Sequence, residues 1–135
     1  MVSNRKLRVL IADDSTFIRE RLPAMLLDIP GIEVVGQAKN GAEALDLVRA
    51  LNPDVVILDI RMPRMTGIEV LQKLKKDKTA PVVIMLTSYP YPQYREKCQE
   101  AGADFFFDKS TDFDKLFALL KELRQGQNAN LITDQ

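Results

Sequence analysis

Val55-Val56-Ile57-Leu58-Asp59 is the stretch on which the fold turns. Its four apolar residues show none of the alternation of a half-exposed strand, so they are expected to form a strand buried on both faces, as in a parallel sheet. A lone carboxylate ends the run. Similar short runs lie on either side: Leu7 to Ala12, Ile32 to Ala38, Val82 to Leu86 and Phe105 to Phe107.

Between the runs the hydrophobic period changes to that of a helix. Phe17, Ile18, Leu22, Met25 and Leu26 keep near one face of a first helix. Leu45, Val48 and Leu51 mark a second, Ile68, Leu71 and Leu74 a third, and Phe113, Leu116, Phe117, Leu120 and Leu123 the last. The fourth, around Pro92 to Ala101, is the least amphipathic. Asn40 with Glu43, Thr66 with Glu69 and Thr111 with Asp114 each place a cap three residues before an acid. Pro30-Gly31, Asn52-Pro53, Ala80-Pro81 and Ala101-Gly102 stand just before strands, as stop signals should. Pro23 lies inside the first helical pattern and predicts a bend or an early end.

Five strand-helix units with right-handed crossovers imply an α/β domain, a doubly wound parallel sheet with helices on both faces. With 135 residues, a single core is expected. Gln125 to Gln135 has lost the pattern and reads as a polar tail or the start of a linker.

Composition narrows the function classes. Apolar residues make up 46% and charged residues 28%, which suits a self-folding soluble domain. Nineteen cations balance nineteen acids, so there is no overall basic field for nucleic acid or an anionic membrane. With no histidine, imidazole chemistry is excluded, and the single cysteine, Cys98, builds neither a disulfide framework nor a metal cluster. It reads as a small helix side chain. Met1 to Lys6 leads straight into a strand without a secretory pattern, and no run approaches the roughly 20 apolar residues of a membrane span. The expectation is a cytoplasmic protein.

Ligands of open parallel sheets bind beyond the carboxyl ends of the strands. Asp13-Asp14, Asp59, Thr87 and Lys109 all fall there, whereas the second run ends in Ala38-Lys39 with no comparable group. Each alone has a plain structural reading, as a helix cap, a turn residue or a solvated cation. Together they describe a site. Converging carboxylates repel one another unless a cation neutralises them, and an oxygen-only donor set suits Mg²⁺. Lys109 adds a mobile cation able to pair with Asp59, and then with a phosphoryl group. Thr87 adds a hydroxyl. A carboxylate nucleophile, a metal, a cation and a hydroxyl are the parts of aspartyl-phosphate chemistry. Chemistry alone chooses weakly among the three acids.

The sequence resembles the receiver domain of two-component response regulators over residues 6–124. The motifs that carry the likeness are Asp13-Asp14, Leu58-Asp59-Ile60-Arg61-Met62-Pro63 with Thr66-Gly67, Thr87-Ser88, and Ala101-Gly102-Ala103-Asp104 leading to Lys109. The resemblance implies a flavodoxin-like strand order of 2-1-3-4-5. It makes Asp59 the phosphoacceptor from a sensor histidine kinase or phosphotransfer protein, and the protein a switch rather than an enzyme, with slow autodephosphorylation. Asp14, Asp59 and the backbone carbonyl of Arg61 would hold Mg²⁺, with Asp13 acting through water. Thr87 and Lys109 would contact the phosphoryl group, and Phe106 would be the aromatic that moves with Thr87. An unknown output protein would bind the face formed by the fourth helix, fifth strand and fifth helix, and phosphorylation could drive dimerisation.

Two positions depart from the family pattern. Ser110 stands where a proline usually follows the lysine, which changes what shapes that loop. Arg61 occupies a variable position from which a long cation could shield the phosphoryl group. Phe105, Phe106 and Phe107 are also an ordinary strand-forming run. Tyr89, Pro90, Tyr91, Pro92 and Tyr94 either fix a turn or form a partner surface. An alternative reading makes the chain the receiver part of a DNA-binding transcription regulator whose output domain lies beyond residue 135. A metal-dependent phosphatase would need an enclosing pocket, and the sequence has no long insertion to build one.

Overall fold

The computed structural model describes the backbone of residues 5–133 and the side chains of residues 5–126. Strands β1 (Leu7–Ala12), β2 (Ile32–Ala38), β3 (Val55–Leu58), β4 (Val82–Thr87) and β5 (Phe105–Asp108) alternate with helices α1 (Thr16–Leu26), α2 (Gly41–Leu51), α3 (Gly67–Leu74), α4 (Pro92–Glu100) and α5 (Phe113–Thr133). All four strand pairings are parallel, in the order β2-β1-β3-β4-β5. The expected doubly wound architecture and strand order are thus observed.

Strand side chains point alternately to the two faces, and each face has its own core. Val9, Ile11, Ile57, Ile84 and Leu86 meet Ile18, Leu22 and Leu26 of α1 and Leu116 and Leu120 of α5. Leu10, Val56, Leu58, Val83 and Met85 meet Ala44, Leu45 and Val48 of α2, Val70, Leu71 and Leu74 of α3, and Cys98 of α4. All four residues of β3 are buried, as the absence of alternation predicts. No helix among the described residues is long and apolar enough to cross a membrane.

Local signals set most of the boundaries. Asn40 accepts the Glu43 N–H and caps α2, and Thr66 with Glu69 forms a complete capping box on α3. The third expected cap shifts by one residue: α5 starts at Phe113, and Asp112, not Thr111, precedes it, with Asp112 O accepting from Leu116 N. The Asp112 carboxylate turns back to accept the Asp108 N–H, so the loop claims it rather than the helix. In α1 the buried stripe is narrower than expected. Ile18, Leu22 and Leu26 are buried, while Phe17 is 61% exposed because one residue rotates it about 100° off that stripe. Pro23 does not stop α1 at once; the helix runs one residue short of a further turn and ends at Leu26.

The helical backbone of α5 continues through residues 125–133, which carry no apolar period and were expected to be a tail or linker. Polar residues and alanine tolerate helix without producing the stripe that periodicity detects. Asp134 and Gln135, the end of that segment, and Met1 to Asn4 lie outside the described residues.

The Arg124 side chain of α5 packs against Gly31 in the turn before β2. Gly31 has φ +86°, and a Cβ there would lie 2.2 Å from Arg124 Nε. A left-handed backbone costs an L-residue about 1–2 kcal/mol, and here the arginine must also move. Gly31→Ala is expected to lower stability by at least that amount, measured as a fall in the urea midpoint at unchanged slope.

Candidate phosphoacceptor site

Ladder hydrogen bonds carry each functional residue to one rim. Asp13 N donates to Ala38 O and Asp59 N to Ala12 O, each at 2.9 Å, so both aspartates continue strands of the sheet. Lys109 N donates to Thr87 O at 2.9 Å, which joins the ends of β4 and β5. The β3–α3 loop then folds back beneath Asp59: Gly67 N donates to Ile60 O at 2.7 Å, and a Cβ on Gly67 would lie 1.8 Å from Asp59 O. Only glycine permits that approach.

Asp13, Asp14 and Asp59 each bring a carboxylate oxygen within 4.8 Å of the others. Asp13 is 2% exposed, Asp59 5% and Thr87 0%, whereas Asp14 faces solvent. The Lys109 ammonium lies between the two buried acids, 2.7 Å from Asp13 Oδ2 and 3.2 Å from Asp59 Oδ2. Its shorter contact is with Asp13, a pairing the sequence does not announce. Ser15 N donates to Asp13 Oδ1 and Ile60 N to Asp59 Oδ1, both at 2.8 Å. Each buried carboxylate is therefore fixed by one backbone donor and one shared cation.

Burial, and next the Asp13 charge, push the Asp59 carboxyl up to about 6; Lys109 and the Ile60 N–H pull the other way without cancelling the rise. Burial pulls Lys109 down, but the hydrogen bond and charge of Asp13 and the charge of Asp59 outweigh it, leaving the ammonium above its ordinary range. The site is one cation short of comfortable neutrality. Its donors are all oxygens, crowded at a solvent-facing rim, and this set fits a hard divalent cation better than a thiophilic one.

Thr87 Oγ1 accepts the Tyr89 N–H at 3.0 Å. Phe106 points to the α2–α4 side of the sheet, partly buried, with the Arg95 guanidinium 4.4 Å above its ring. Phe105 and Phe107 stack on the other side, 6.4 Å apart, and Phe107 joins the α1–α5 core. In the place of the family's proline, Ser110 donates its N–H and hydroxyl to Asp108 Oδ1 at 2.8 and 2.7 Å. An aspartate-centred turn shapes the loop instead.

The Arg61 side chain leans away from the acids, donating from Nη2 to Tyr94 Oη at 3.1 Å and lying 3.9 Å over the Tyr89 ring. Neither contact follows from the sequence, in which Arg61 and the tyrosine-rich segment lie far apart with nothing to relate them. Burial in the α4 core pushes the Cys98 thiol up to about 11, consistent with a packing role.

Comparison with known proteins agrees with this fold. The model of the response regulator receiver domain matches residues 9–121. The protein-glutamate methylesterase/protein-glutamine glutaminase of Alkalilimnicola ehrlichii is 41% identical over 124 residues, covering 87% of this chain and 32% of that protein. Response regulator GacA of Pseudomonas aeruginosa is 32% identical over 121 residues, covering 90% of this chain and 56% of that one. The chain thus spans between a third and somewhat over half of these relatives. The signal receiver domain of NarL from Mycobacterium tuberculosis superposes with a TM-score of 0.83 at 30% identity, covering 90% of this chain and 98% of that one. The matched span runs from β1 into α5 and takes in the whole acidic rim, and on that ground the chain belongs to the response regulator receiver domain family.

Proposed function

We propose that Asp59 accepts a phosphoryl group from the phosphohistidine of a sensor histidine kinase or phosphotransfer protein, and that the added charge alters what the surface binds. The observation that carries this reading is a nearly buried carboxylate, raised toward neutrality, 3.2 Å from a lysine and grouped with two further acids.

A carboxylate oxygen of Asp59 attacks phosphorus; the new O–P bond forms as the P–N bond to the donor imidazole breaks, and that nitrogen keeps the bonding pair. In its site Mg²⁺ would be held by Asp14, Asp59 and the backbone carbonyl of Arg61, with Asp13 acting through water, and it supplies positive charge to the phosphoryl oxygens. Lys109 moves from Asp59 Oδ2 to a phosphoryl oxygen while keeping Asp13. The Thr87 hydroxyl donates to another phosphoryl oxygen, and Phe106 follows into the space that Thr87 vacates. The output surface is α4, β5 and α5, and slow attack by water resets the switch.

Incubation with acetyl phosphate and Mg²⁺ should give acid-labile phosphate approaching one per chain and none when a chelator is present; absence of any incorporation, including from cognate kinases, would sink the reading. Proton competition gives a second check. Asp59 with a carboxyl near 6 must lose its proton before it binds a cation, so Mg²⁺ affinity should plateau above that pH. Below it, affinity should fall by about tenfold per pH unit, followed by calorimetric titration.

The spans of the curated relatives favour a second reading for the whole protein, in which this domain regulates an attached effector, either a methylesterase or one of the DNA-binding kind named for a similar response regulator of Staphylococcus aureus. Sequencing the native reading frame past Gln135 distinguishes it from a free-standing receiver.

A further inference from the structure

We propose that Arg61 is a positioning residue that latches the start of α4 to the unphosphorylated site, and that the phosphoryl group on Asp59 releases α4 by drawing Arg61 away from Tyr89 and Tyr94. The proposal rests on Asp59 being the phosphoacceptor.

The Arg61 guanidinium has an unusual set of partners for a cation two residues from an acidic cluster. It donates to a neutral phenol, Tyr94 Oη at 3.1 Å, and faces two rings, with Cζ 3.9 Å from the Tyr89 centroid and 5.8 Å from that of Tyr94. Among the described residues it has no carboxylate partner. Guanidinium groups bind phosphate oxygens bidentately, with charge on both sides of the contact, and such pairs outcompete a hydrogen bond to a neutral hydroxyl and a ring face. A phosphoryl dianion on Asp59 is thus the stronger partner for a group now held by weaker ones.

Tyr89 is held from two directions by groups that a phosphoryl oxygen would attract. Its ring lies beneath Arg61, and its N–H donates to Thr87 Oγ1. Tyr89, Tyr91 and Tyr94 form a chain of rings with centroids 6.1 and 5.8 Å apart, so displacement of the first is transmitted to the next. The element they reach is lightly anchored: Tyr91 stands at the N-cap of α4 without a side-chain capping bond, and Cys98 is the one buried residue of the helix. A helix held by so few contacts is readily biased by losing one of them.

The composition supplies the probe. The chain has three tyrosines, all in this cluster, and no tryptophan, so its tyrosine emission reports on the ring cluster that the latch holds. Acetyl phosphate and Mg²⁺ are added while phosphate per chain is counted in the same samples. Wild type should change its tyrosine emission in proportion to phosphate incorporated. Before phosphorylation, Arg61→Met should already show emission displaced toward the phosphorylated wild type, and on phosphorylation it should give a minor fraction of the wild-type change per phosphate. Tyr94→Phe should also reduce the change, and Arg61→Lys, which keeps charge but loses the planar fork, should fall between. Phosphate incorporation without an emission change in wild type overturns the latch, as does an undiminished change in Arg61→Met. Failure of wild type to incorporate phosphate at all refutes the phosphoacceptor assignment instead, and the latch falls with it.

Discussion

Asp59→Asn is expected to abolish acid-labile phosphate and, in the absence of metal, to make the protein more stable. The amide keeps the shape of the side chain but has no nucleophilic carboxylate oxygen, so no acyl phosphate forms. The stability gain comes from the other half of the same chemistry. Asp59 is pushed up to about 6, first by burial and then by Asp13, so its ionised form is disfavoured in the folded state. A carboxyl whose folded pKa exceeds its unfolded value imposes no cost below the unfolded value. The cost grows as pH rises from about 4 and is complete above about 6. At neutral pH it is on the order of 2–3 kcal/mol, the part Asn removes. Urea unfolding in chelator should therefore show the variant more stable near neutrality, with the advantage gone near pH 4. Saturating Mg²⁺ should shrink it from the other side, because metal binding stabilises the wild type alone. A variant equally stable at all pH values, or one that still accepts phosphate, would refute the assignment. Stability given up for function is common at such sites.

How much of this was legible beforehand differs by residue. Leu7–Ala12, Ile32–Ala38 and Val55–Leu58 fall on the expected strand limits; β1 and β3 are buried on both faces and need no alternation to be recognised, while the edge strand β2 is fixed by Pro30-Gly31 before it. Asp13, Asp59, Thr87 and Lys109 could be placed on one rim for the same reason: the end of an apolar run locates a residue in a parallel sheet without coordinates. Asp112 shows where local reading stops. Thr111-x-x-Asp114 satisfies the capping pattern equally well, and what decides the start of α5 is the Asp108 N–H, four residues away and set by β5. Phe17 belongs to the helical pattern by spacing, but which arc faces the sheet depends on how α1 docks. Arg61 and Tyr94 are thirty-three positions apart, and no periodicity relates them. Nor does any pattern disclose that Lys109 sits closer to Asp13 than to Asp59, since that depends on the depth of each rim residue.

The pairing with Asp13 makes Lys109→Met the most severe of these substitutions. Methionine fills much of the lysine stem's volume but removes the cation that two buried carboxylates share, both almost fully enclosed. Removing one partner of a buried pair typically costs about 3–5 kcal/mol, because the remaining charge is left desolvated. Here two like charges are left facing one another. Without metal near neutral pH, a loss of about that size is expected in chemical unfolding, enough to unfold much of a marginally stable domain. Protonation offers relief: with Lys109 gone the Asp59 carboxyl loses a group that holds it down and rises further, so the deficit should narrow as pH falls. Mg²⁺ should give relief at constant pH, with a larger thermal shift in the variant than in wild type. Phosphoryl transfer with Mg²⁺ saturating should still fall by about 10²-fold or more, since one of the charges facing the transition state is missing. The double variant Asp59→Asn, Lys109→Met separates charge from packing. If buried repulsion is the cause, Asp59→Asn should stabilise the Lys109→Met protein by clearly more than it stabilises wild type, which is strong non-additivity. If instead Asp59→Asn changes stability by the same amount with and without Lys109, Lys109 matters through its stem, and its ammonium is not the counter-ion of this site.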